Sequence, residues 1–161
     1  MAKKKQYWLF KSDPDDFSWQ DLLESPDQTA CWDGVRNYQA RNLIRDEMKE
    51  GDRVLFYHSQ LKPPVVMGTA VIVKESYPDD TAWEEGNKHF DKRASEENPI
   101  WQMVDIQAEK EFNFPVSLPE MRETDALEGM MLLKRGSRLS VQPVDAKHFQ
   151  WIVKRGNRKK A

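Results

Sequence analysis

The β-rich runs of this chain follow one another without long helices between them, and this order limits the folds that the chain can adopt. A regular alternation of strands with long helices would indicate a parallel doubly wound sheet. Here the intervening helical segments are short, so we predict an α+β fold, a mixed sheet curled into a partial barrel with short surrounding helices. The predicted strands cover residues 7–11, 52–59, 65–77, 99–112 and 138–144.

Local signals define the predicted helices. Ser18 lies three residues before Asp21, which is the spacing of a capping box at the start of a short helix. In residues 38–50, Leu43 and Ile44 fall on one side, which predicts a helix that packs on the sheet through these two residues. Further helices are predicted over residues 119–123, 126–133 and 145–154.

Length and composition fit a single domain. The chain has 161 residues, of which 39% are hydrophobic, enough for one sizeable core. We place the domain at residues 7–153, between basic tails at 1–6 and 154–161. No apolar run reaches the roughly 20 residues that span a bilayer, so we expect a soluble protein, cytoplasmic in a bacterium or nuclear in a eukaryote. Cys31 is the single cysteine and the three histidines are scattered, which predicts neither a disulfide nor a metal or other cofactor.

The net charge of −2 hides an uneven distribution. The two tails hold 8 of the 25 basic residues, whereas all 27 acidic residues lie between Asp13 and Asp145. The remaining 17 basic residues leave the body with a net charge of −10, which argues against a wide basic face that coats DNA. Residues 34–45 and 134–138 are nevertheless basic without acidic residues, so we expect a local anion-binding patch if these segments meet.

The stretch CWDGVRNYQARN, residues 31–42, combines groups that suit a flat, charged ligand. Trp32 directly precedes the turn Asp33-Gly34, so we expect its indole ring at an exposed loop edge, where it can stack on a ligand. Asn37 and Asn42 carry amides that read a hydrogen-bonding edge, and the arginines hold phosphates. A flipped-out nucleobase with its phosphates matches this set of groups.

Two other functions compete with base binding. Asp13, Asp15 and Asp16 near Lys11 could form the metal site of a nuclease, and Cys31 with a histidine could form a nucleophile pair. Turn and helix-capping chemistry explains SDPDDFSW equally well, and no glycine-rich phosphate cradle is present, so we predict no enzymatic activity. The second alternative is a protein-interaction adaptor whose aromatic residues pack against a peptide.

Five motifs follow one another in a distinctive order: YWLFKSDPDDFSW, WDGVRNYQARNLI, GDRVLFYHS, VMGTAVIV and LLKRGSRLSVQPV. With the segment FQWI that follows them, they extend over about residues 7–152, nearly the whole chain. This order closely resembles the EVE domain family, a relative of the YTH and PUA-like domains. The resemblance implies a PUA-like pseudobarrel and a non-catalytic reader of a modified nucleobase in DNA or RNA.

The resemblance further implies that the base lies in an aromatic-lined pocket and that it is 5-methylcytosine or a derivative, or N6-methyladenine. Many members of the family occur in longer chains with endonuclease or helicase modules, so a downstream effect here would require a separate effector protein. The implied binding residues are Trp8, Lys11, Ser12, Trp32, Gly34, Val35, Arg36, Asn37, Tyr38, Arg41, Asn42, Tyr57, His58, Ser59, Arg138 and Ser140.

Overall fold

The computed structural model describes residues 5–136 and 138–160, so Lys3 and Lys4 of the N-terminal tail and Ala161 of the C-terminal tail lie outside the described residues. One six-stranded sheet has the order β2-β5-β4-β3-β1-β6. β1 and β3 are parallel and the other neighbouring pairs are antiparallel, which confirms the predicted mixed sheet and the α+β class. The strands are β1 (Tyr7–Ser12), β2 (Thr29–Cys31), β3 (Arg53–His58), β4 (Val65–Pro78), β5 (Gln102–Ser117) and β6 (Val141–Val144).

Four short helices flank the sheet: α1 (Trp19–Glu24), α2 (Tyr38–Asp46), α3 (Leu118–Arg122) and α4 (Ala146–Gly156). The predicted capping box of α1 is present, because the Ser18 hydroxyl accepts from the Asp21 N–H and the Asp21 carboxylate accepts from the Ser18 N–H. The predicted helix over 126–133 is wrong, since this segment forms two separate 3-10 turns. None of the described helices has both the length and the apolar character needed to cross a membrane.

Helix α2 ends at Asp46, earlier than the predicted end at Glu50, because the following turn is held by the buried carboxylate of Asp52. This carboxylate accepts from the Lys49 N–H at 2.9 Å and from the indole N–H of Trp8 at 3.0 Å. Trp8 is 2% exposed, so its ring fills the core and its polar atom anchors the turn.

Strands β4 and β5 form the long curved centre of the sheet. They contain 14 and 16 residues, and their pairing shifts register at four places. Each such irregularity bends and twists a strand pair, which curls the sheet. The two edge strands are short: β2, which the sequence did not predict, has 3 residues, and β6 has 4, including Pro143.

The sheet separates two apolar clusters, as the alternation of side chains along β1 and β3 predicts. Phe10 and Phe56 pack with α1 and α2 on one face. Leu9 and Tyr57 pack with α3 and α4 on the other. α2 contacts the first cluster through the fully buried Ile44 and the partly buried Leu43, which confirms the predicted packing.

The connection between β4 and β5, residues 79–101, is long but ordered around a small core of its own. Ala82, Ala94 and Trp101 pack together in that core. The Asp91 N–H donates to the Ala82 carbonyl at 2.7 Å, and the Asp91 carboxylate accepts from the Trp101 indole at 2.9 Å. Connections of more than about 12–15 residues are often functional. This one carries residues 87–89 against the segment that follows β2.

Candidate functional site

A cavity of about 560 Å³ opens where the end of β1, the segment after β2 and the β4–β5 connection meet. Its volume falls within the roughly 300–1,000 Å³ typical of small-ligand sites. We call it the base cavity, after the ligand that the sequence analysis predicts. It is lined by Lys11, Ser12, Asp13, Asp16, Phe17, Cys31, Trp32, Asp33, Gly34, Val35, Arg36, Asn87, Lys88, His89 and Ser140.

Trp32 forms an aromatic wall of the base cavity from a position within the core. Only 8% of the residue is exposed, and its ring contacts Phe10, Phe17 and Phe56 at centroid distances of 5.1, 6.2 and 5.6 Å. The backbone N–H of Trp32 donates to the Val104 carbonyl at 2.8 Å, which holds this residue beside β5. The predicted position at an exposed loop edge is therefore wrong. A ring fixed in this way presents a preorganised face to a ligand.

Arg36 holds the two walls of the base cavity together. Its Nη1 donates to the fully buried carboxylate of Asp79 at 3.0 Å, and its Nε and Nη2 donate to the His89 carbonyl at 3.0 and 2.8 Å. The same Asp79 carboxylate accepts from the Gly34 N–H at 2.8 Å. Burial alone would raise the pKa of Asp79, but the hydrogen bonds from Thr81, Gly34 and Arg36 outweigh it and lower that pKa. The guanidinium is thus engaged within the protein.

A partly buried carboxylate, that of Asp33, faces the base cavity. Its Oδ2 lies 3.8 Å from the Nδ1 of His89. Burial raises the pKa of Asp33 above its ordinary value, although the neighbouring His89 opposes this shift. Burial also lowers the pKa of Lys11, which lines the cavity at the end of β1. A desolvated carboxylate gains from a ligand that donates a hydrogen bond to it.

An ion pair links two walls of the base cavity. The Lys88 ammonium lies 3.0 Å from the Asp16 carboxylate, joining the β4–β5 connection to the turn after β1. Both side chains are well exposed, at 63% and 65%. Exposed pairs of this kind contribute only about 0–1 kcal/mol, so a ligand can separate them easily.

The structure brings some of the sequence-predicted site residues together at this cavity and leaves others elsewhere. In the lining are Lys11, Ser12, Trp32, Gly34, Val35, Arg36 and Ser140. Outside it are Trp8, Asn37, Tyr38, Arg41, Asn42, Tyr57, His58, Ser59 and Arg138.

Several residues outside the lining have contacts that stabilise its surroundings. The Asn37 side chain caps α2 by accepting from the Ala40 N–H at 3.0 Å. The His58 Nε2 accepts from the Trp19 backbone N–H at 3.0 Å, and burial lowers the pKa of His58. Arg41 donates to the Ile100 carbonyl at 2.9 Å.

Others belong to neighbouring elements. Asn42 accepts from Arg41, Tyr57 packs on the opposite face of the sheet, and the Ser59 N–H donates to the Ser12 carbonyl at 3.0 Å. Arg138 is exposed, two residues before Ser140 of the lining.

Sequence analysis did not include 8 of the 15 lining residues among the base-binding residues, although it considered Asp13, Asp16 and Cys31 for an enzymatic site. The missed residues come from three places: the turn after β1, the two neighbours of Trp32 and the β4–β5 connection. The turn and the connection have polar sequences that are typical of solvated loops. The unusual length of that connection between two strands was the available signal. The missed residues are Asp13, Asp16, Phe17, Cys31, Asp33, Asn87, Lys88 and His89.

Comparison with known proteins agrees with this architecture. The family model described as EVE domain matches residues 6–155. Thymocyte nuclear protein 1 of Mus musculus is 43% identical, over 91% of this chain and 72% of its own. The crystal structure of human THYN1 protein in complex with 5-methylcytosine-containing DNA has a TM-score of 0.90 at 39% identity, covering 97% of this chain and 100% of that one.

A more distant structure shares the fold. The YTH domain of Zygosaccharomyces rouxii MRB1 protein, solved in complex with N6-methyladenosine RNA, gives a TM-score of 0.54 at 12% identity and covers 99% of this chain and 89% of its own. The fold is therefore of the PUA-like type that the motifs implied. By its matching residues and its structure, the chain belongs to the EVE domain family.

Proposed function

We propose that this protein is a non-catalytic reader that binds a modified nucleobase of a nucleic acid in the base cavity. The observation that carries this proposal is the combination of a fixed aromatic wall, Trp32 with Phe17, and the partly buried Asp33 carboxylate in one cavity. A flipped-out base has two flat faces and one polar edge, which require these two kinds of group. The human relative crystallised with 5-methylcytosine-containing DNA supports the same class of ligand.

The Asp33 carboxylate favours cytosine, in the form of 5-methylcytosine or a derivative. The exocyclic amine of cytosine is a donor that carboxylates accept. Burying one methyl group contributes only about 0.8 kcal/mol. A strong preference for the methylated base therefore requires close shape complementarity, which a ring fixed by three aromatic neighbours can provide.

The charge distribution suits a short contact with the backbone rather than an extended one. Arg36 is engaged within the protein, whereas Lys88 of the lining is exposed and Arg138 is exposed two residues before Ser140 of the lining. We expect about two to four phosphate contacts, and hence a shallow dependence of affinity on salt concentration.

Chemistry at this site fits catalysis poorly. The backbone carbonyl of Asp13 accepts from the N–H groups of Asp16 and Phe17, and its carboxylate accepts from the Asp15 N–H, so this carboxylate serves to build a turn. Burial and then the charge of Asp33 raise the pKa of the Cys31 thiol, whereas a nucleophilic cysteine requires a lowered pKa. These features favour binding over turnover.

The adaptor alternative receives little support from the surface. Among the described residues, the exposed large apolar side chains are Tyr38, Leu61 and Phe90. Three such side chains fall short of the contiguous apolar patch of several hundred Å² that marks a protein-binding surface.

A binding screen tests the proposal. Fluorescence anisotropy would measure the affinity of the purified protein for matched oligonucleotides, as DNA and RNA, single-stranded and duplex. Each would carry cytosine, 5-methylcytosine, adenine or N6-methyladenine at one position. We expect tighter binding of 5-methylcytosine than of cytosine, with the oligonucleotide recovered unaltered by mass spectrometry after incubation with magnesium. Equal affinity for modified and unmodified sequences would refute a reader, and an altered product would indicate an enzyme.

A further inference from the structure

A second groove, of about 530 Å³, adjoins the base cavity. Arg36, Lys88 and His89 line both, so these three residues form a shared wall. The rest of the groove is lined by residues 90–93 of the β4–β5 connection and by Trp101. We call it the flanking groove. A ligand that leaves the base cavity past this wall enters the flanking groove directly.

Exposed aromatic rings lie in and beside the flanking groove. Phe90 is 43% exposed and lines it, as does the buried Trp101. Tyr38, 48% exposed, lies on the Trp101 ring with a centroid distance of 4.8 Å and an interplanar angle of 32°. Two of the three exposed large apolar side chains in the described part of the chain are thus beside one groove. This concentration provides flat, solvent-accessible faces for stacking.

Positive charge accompanies these rings. The lining contains Lys88, Lys92 and Arg93 and a single carboxylate, that of Asp91. Asp91 is already bound, because it accepts from Arg93 at 2.8 Å and from the Trp101 indole at 2.9 Å. Within residues 5–136 and 138–160, Lys92 forms no ion pair. The flanking groove therefore carries cations that a polyanion can reach.

The acidic residues of the same connection do not reverse this balance. Among the described residues that line the flanking groove, Asp91 is the only acidic one. The other acidic residues of the connection lie outside the lining: Asp79, Asp80, Glu84, Glu85, Glu96 and Glu97. Lys88 is paired with Asp16, but that pair is exposed and weak. A local positive groove in a body of net negative charge selects a short anionic segment.

We propose that the flanking groove binds the unpaired nucleotide next to the recognised base on the same strand. Its base stacks on Phe90, and Lys88 and Lys92 contact the backbone phosphates on either side of it. Aromatic platforms beside cationic side chains are the usual means of holding single-stranded nucleic acid. This inference rests on the proposed function, because it continues the strand whose base occupies the base cavity.

Two variants and two matched controls test the flanking groove. Phe90→Ala removes the stacking face and Lys92→Gln removes one cation. Leu61→Ala is the apolar control, since Leu61 is 40% exposed and lies outside the groove. Lys147→Gln, on the exposed surface of α4, is the charge control. Each protein would be titrated with 5-methyl-deoxycytidine monophosphate by NMR.

The same proteins would be titrated by anisotropy with single-stranded pentanucleotides that carry a central 5-methylcytosine. One pentanucleotide has natural neighbours and the other has abasic neighbours. We expect Phe90→Ala to weaken binding of the natural pentanucleotide by roughly 5-fold or more. Its affinity for the mononucleotide and the abasic pentanucleotide should equal that of the parent. Lys92→Gln should make the salt slope shallower by about 0.7, as for one lost phosphate contact with a single strand.

The outcomes separate the two proposals. If the parent prefers 5-methylcytosine and Phe90→Ala binds the natural pentanucleotide as tightly as Leu61→Ala does, the flanking groove is refuted and the reader stands. A Phe90→Ala loss that is equal for mononucleotide and pentanucleotide also refutes it, because Phe90 would then act on the base cavity. A parent that binds none of these ligands, or only duplexes, overturns the flanking groove, and binding of no modified sequence at all overturns both.

Discussion

The imidazole ring of His89 lies directly against the backbone of Gly34. A Cβ atom placed on residue 34 would come within 2.6 Å of the His89 Nε2 and 2.8 Å of its Cε1. Gly34 also has a φ of +81°, in the left-handed region that favours glycine. This contact joins the segment after β2 to the β4–β5 connection and so sets the width of the base cavity at that corner.

Alanine at position 34 should disturb both folding and binding. Gly34→Ala adds a methyl group that displaces the His89 ring and strains the backbone, so we expect the free energy of unfolding to fall by about 2–4 kcal/mol. Base binding should weaken because His89 lines the cavity. Urea unfolding and anisotropy measure the two effects.

Gly51→Ala is the matched control for the backbone. Gly51 has a φ of +93° with nothing within 4 Å of its added Cβ, so this variant should lose only the conformational part, about 1–2 kcal/mol. The double variant Gly34→Ala/His89→Ala should recover the stability lost to the clash. Equal stability losses for Gly34→Ala and Gly51→Ala would show that the His89 ring moves aside without lowering the free energy of unfolding.

Trp32→Ala should destabilise the protein as well as weaken base binding. The ring is packed against three aromatic neighbours, so its loss should cost about 3–5 kcal/mol of unfolding free energy. Folding should therefore suffer, contrary to what an exposed edge tryptophan would imply. Trp32→Phe keeps an apolar ring and should fold more stably than Trp32→Ala, with reduced affinity for the base. An unfolding curve of Trp32→Ala that matches the parent would contradict the core position.

The raised pKa of Asp33 predicts a pH dependence of known sign. A carboxyl whose folded pKa exceeds its unfolded pKa favours folding most at low pH, and this contribution is lost as the pH rises from the ordinary value of 3.8 through the raised one. Asp33→Asn lacks this loss, so the variant should gain stability relative to the parent as the pH rises through that range. Thermal melts of the two proteins at several pH values measure the difference.

The same substitution should reduce discrimination between bases. In Asp33→Asn the introduced amide still offers an oxygen to the cytosine amine but carries no charge, so we expect a loss of about 1–3 kcal/mol in preference for cytosine derivatives. The binding screen with matched oligonucleotides measures this preference. If base preference is unchanged in the Asp33→Asn protein, this residue has no role in recognition.

Arg36 and Arg138 should respond differently to substitution. Arg36→Ala leaves the buried Asp79 carboxylate without its charged partner, so the free energy of unfolding should fall by about 3 kcal/mol or more. Arg138→Gln, on the surface, should leave stability unchanged and make the salt slope of binding shallower by about 0.7–0.9. Arg122→Gln, exposed on α3, is the control for the second effect. The reverse pattern would assign the phosphate contact to Arg36.

Short-range patterns predicted the frame of this protein well. Side chains that follow one another in a strand point to opposite faces of the sheet, and Leu9 and Phe10 of β1 and Phe56 and Tyr57 of β3 obey this rule. The Ser18–Asp21 capping box located α1. Both signals depend on neighbours within a few residues, which the sequence displays directly. The burial of Trp32 was missed because three rings from separate elements converge on it, and only tertiary structure brings them together.

Only one wall of the base cavity was predicted, because the residues of the other wall reach it only through the tertiary structure. The conspicuous residues after β2 were identified, but the opposite wall comes from residues 87–89, more than fifty residues later in the chain. Arg36 shows the limit most clearly, because its guanidinium is bound by Asp79, 43 residues later in the chain, and by the His89 carbonyl, 53 residues later. A surface arginine and a structural arginine look the same in one sequence.

The shortness of the two edge strands has a consequence for self-association. An unpaired strand edge is a template on which another copy can add a strand, and long edges therefore promote aggregation. Here the long strands β4 and β5 lie inside the sheet, while the edges are 3 and 4 residues long and Pro143 lacks a backbone N–H. The sheet thus offers little for another copy to extend, and the exposed rings of Tyr38 and Phe90 can remain accessible without the molecule polymerising through its β-structure.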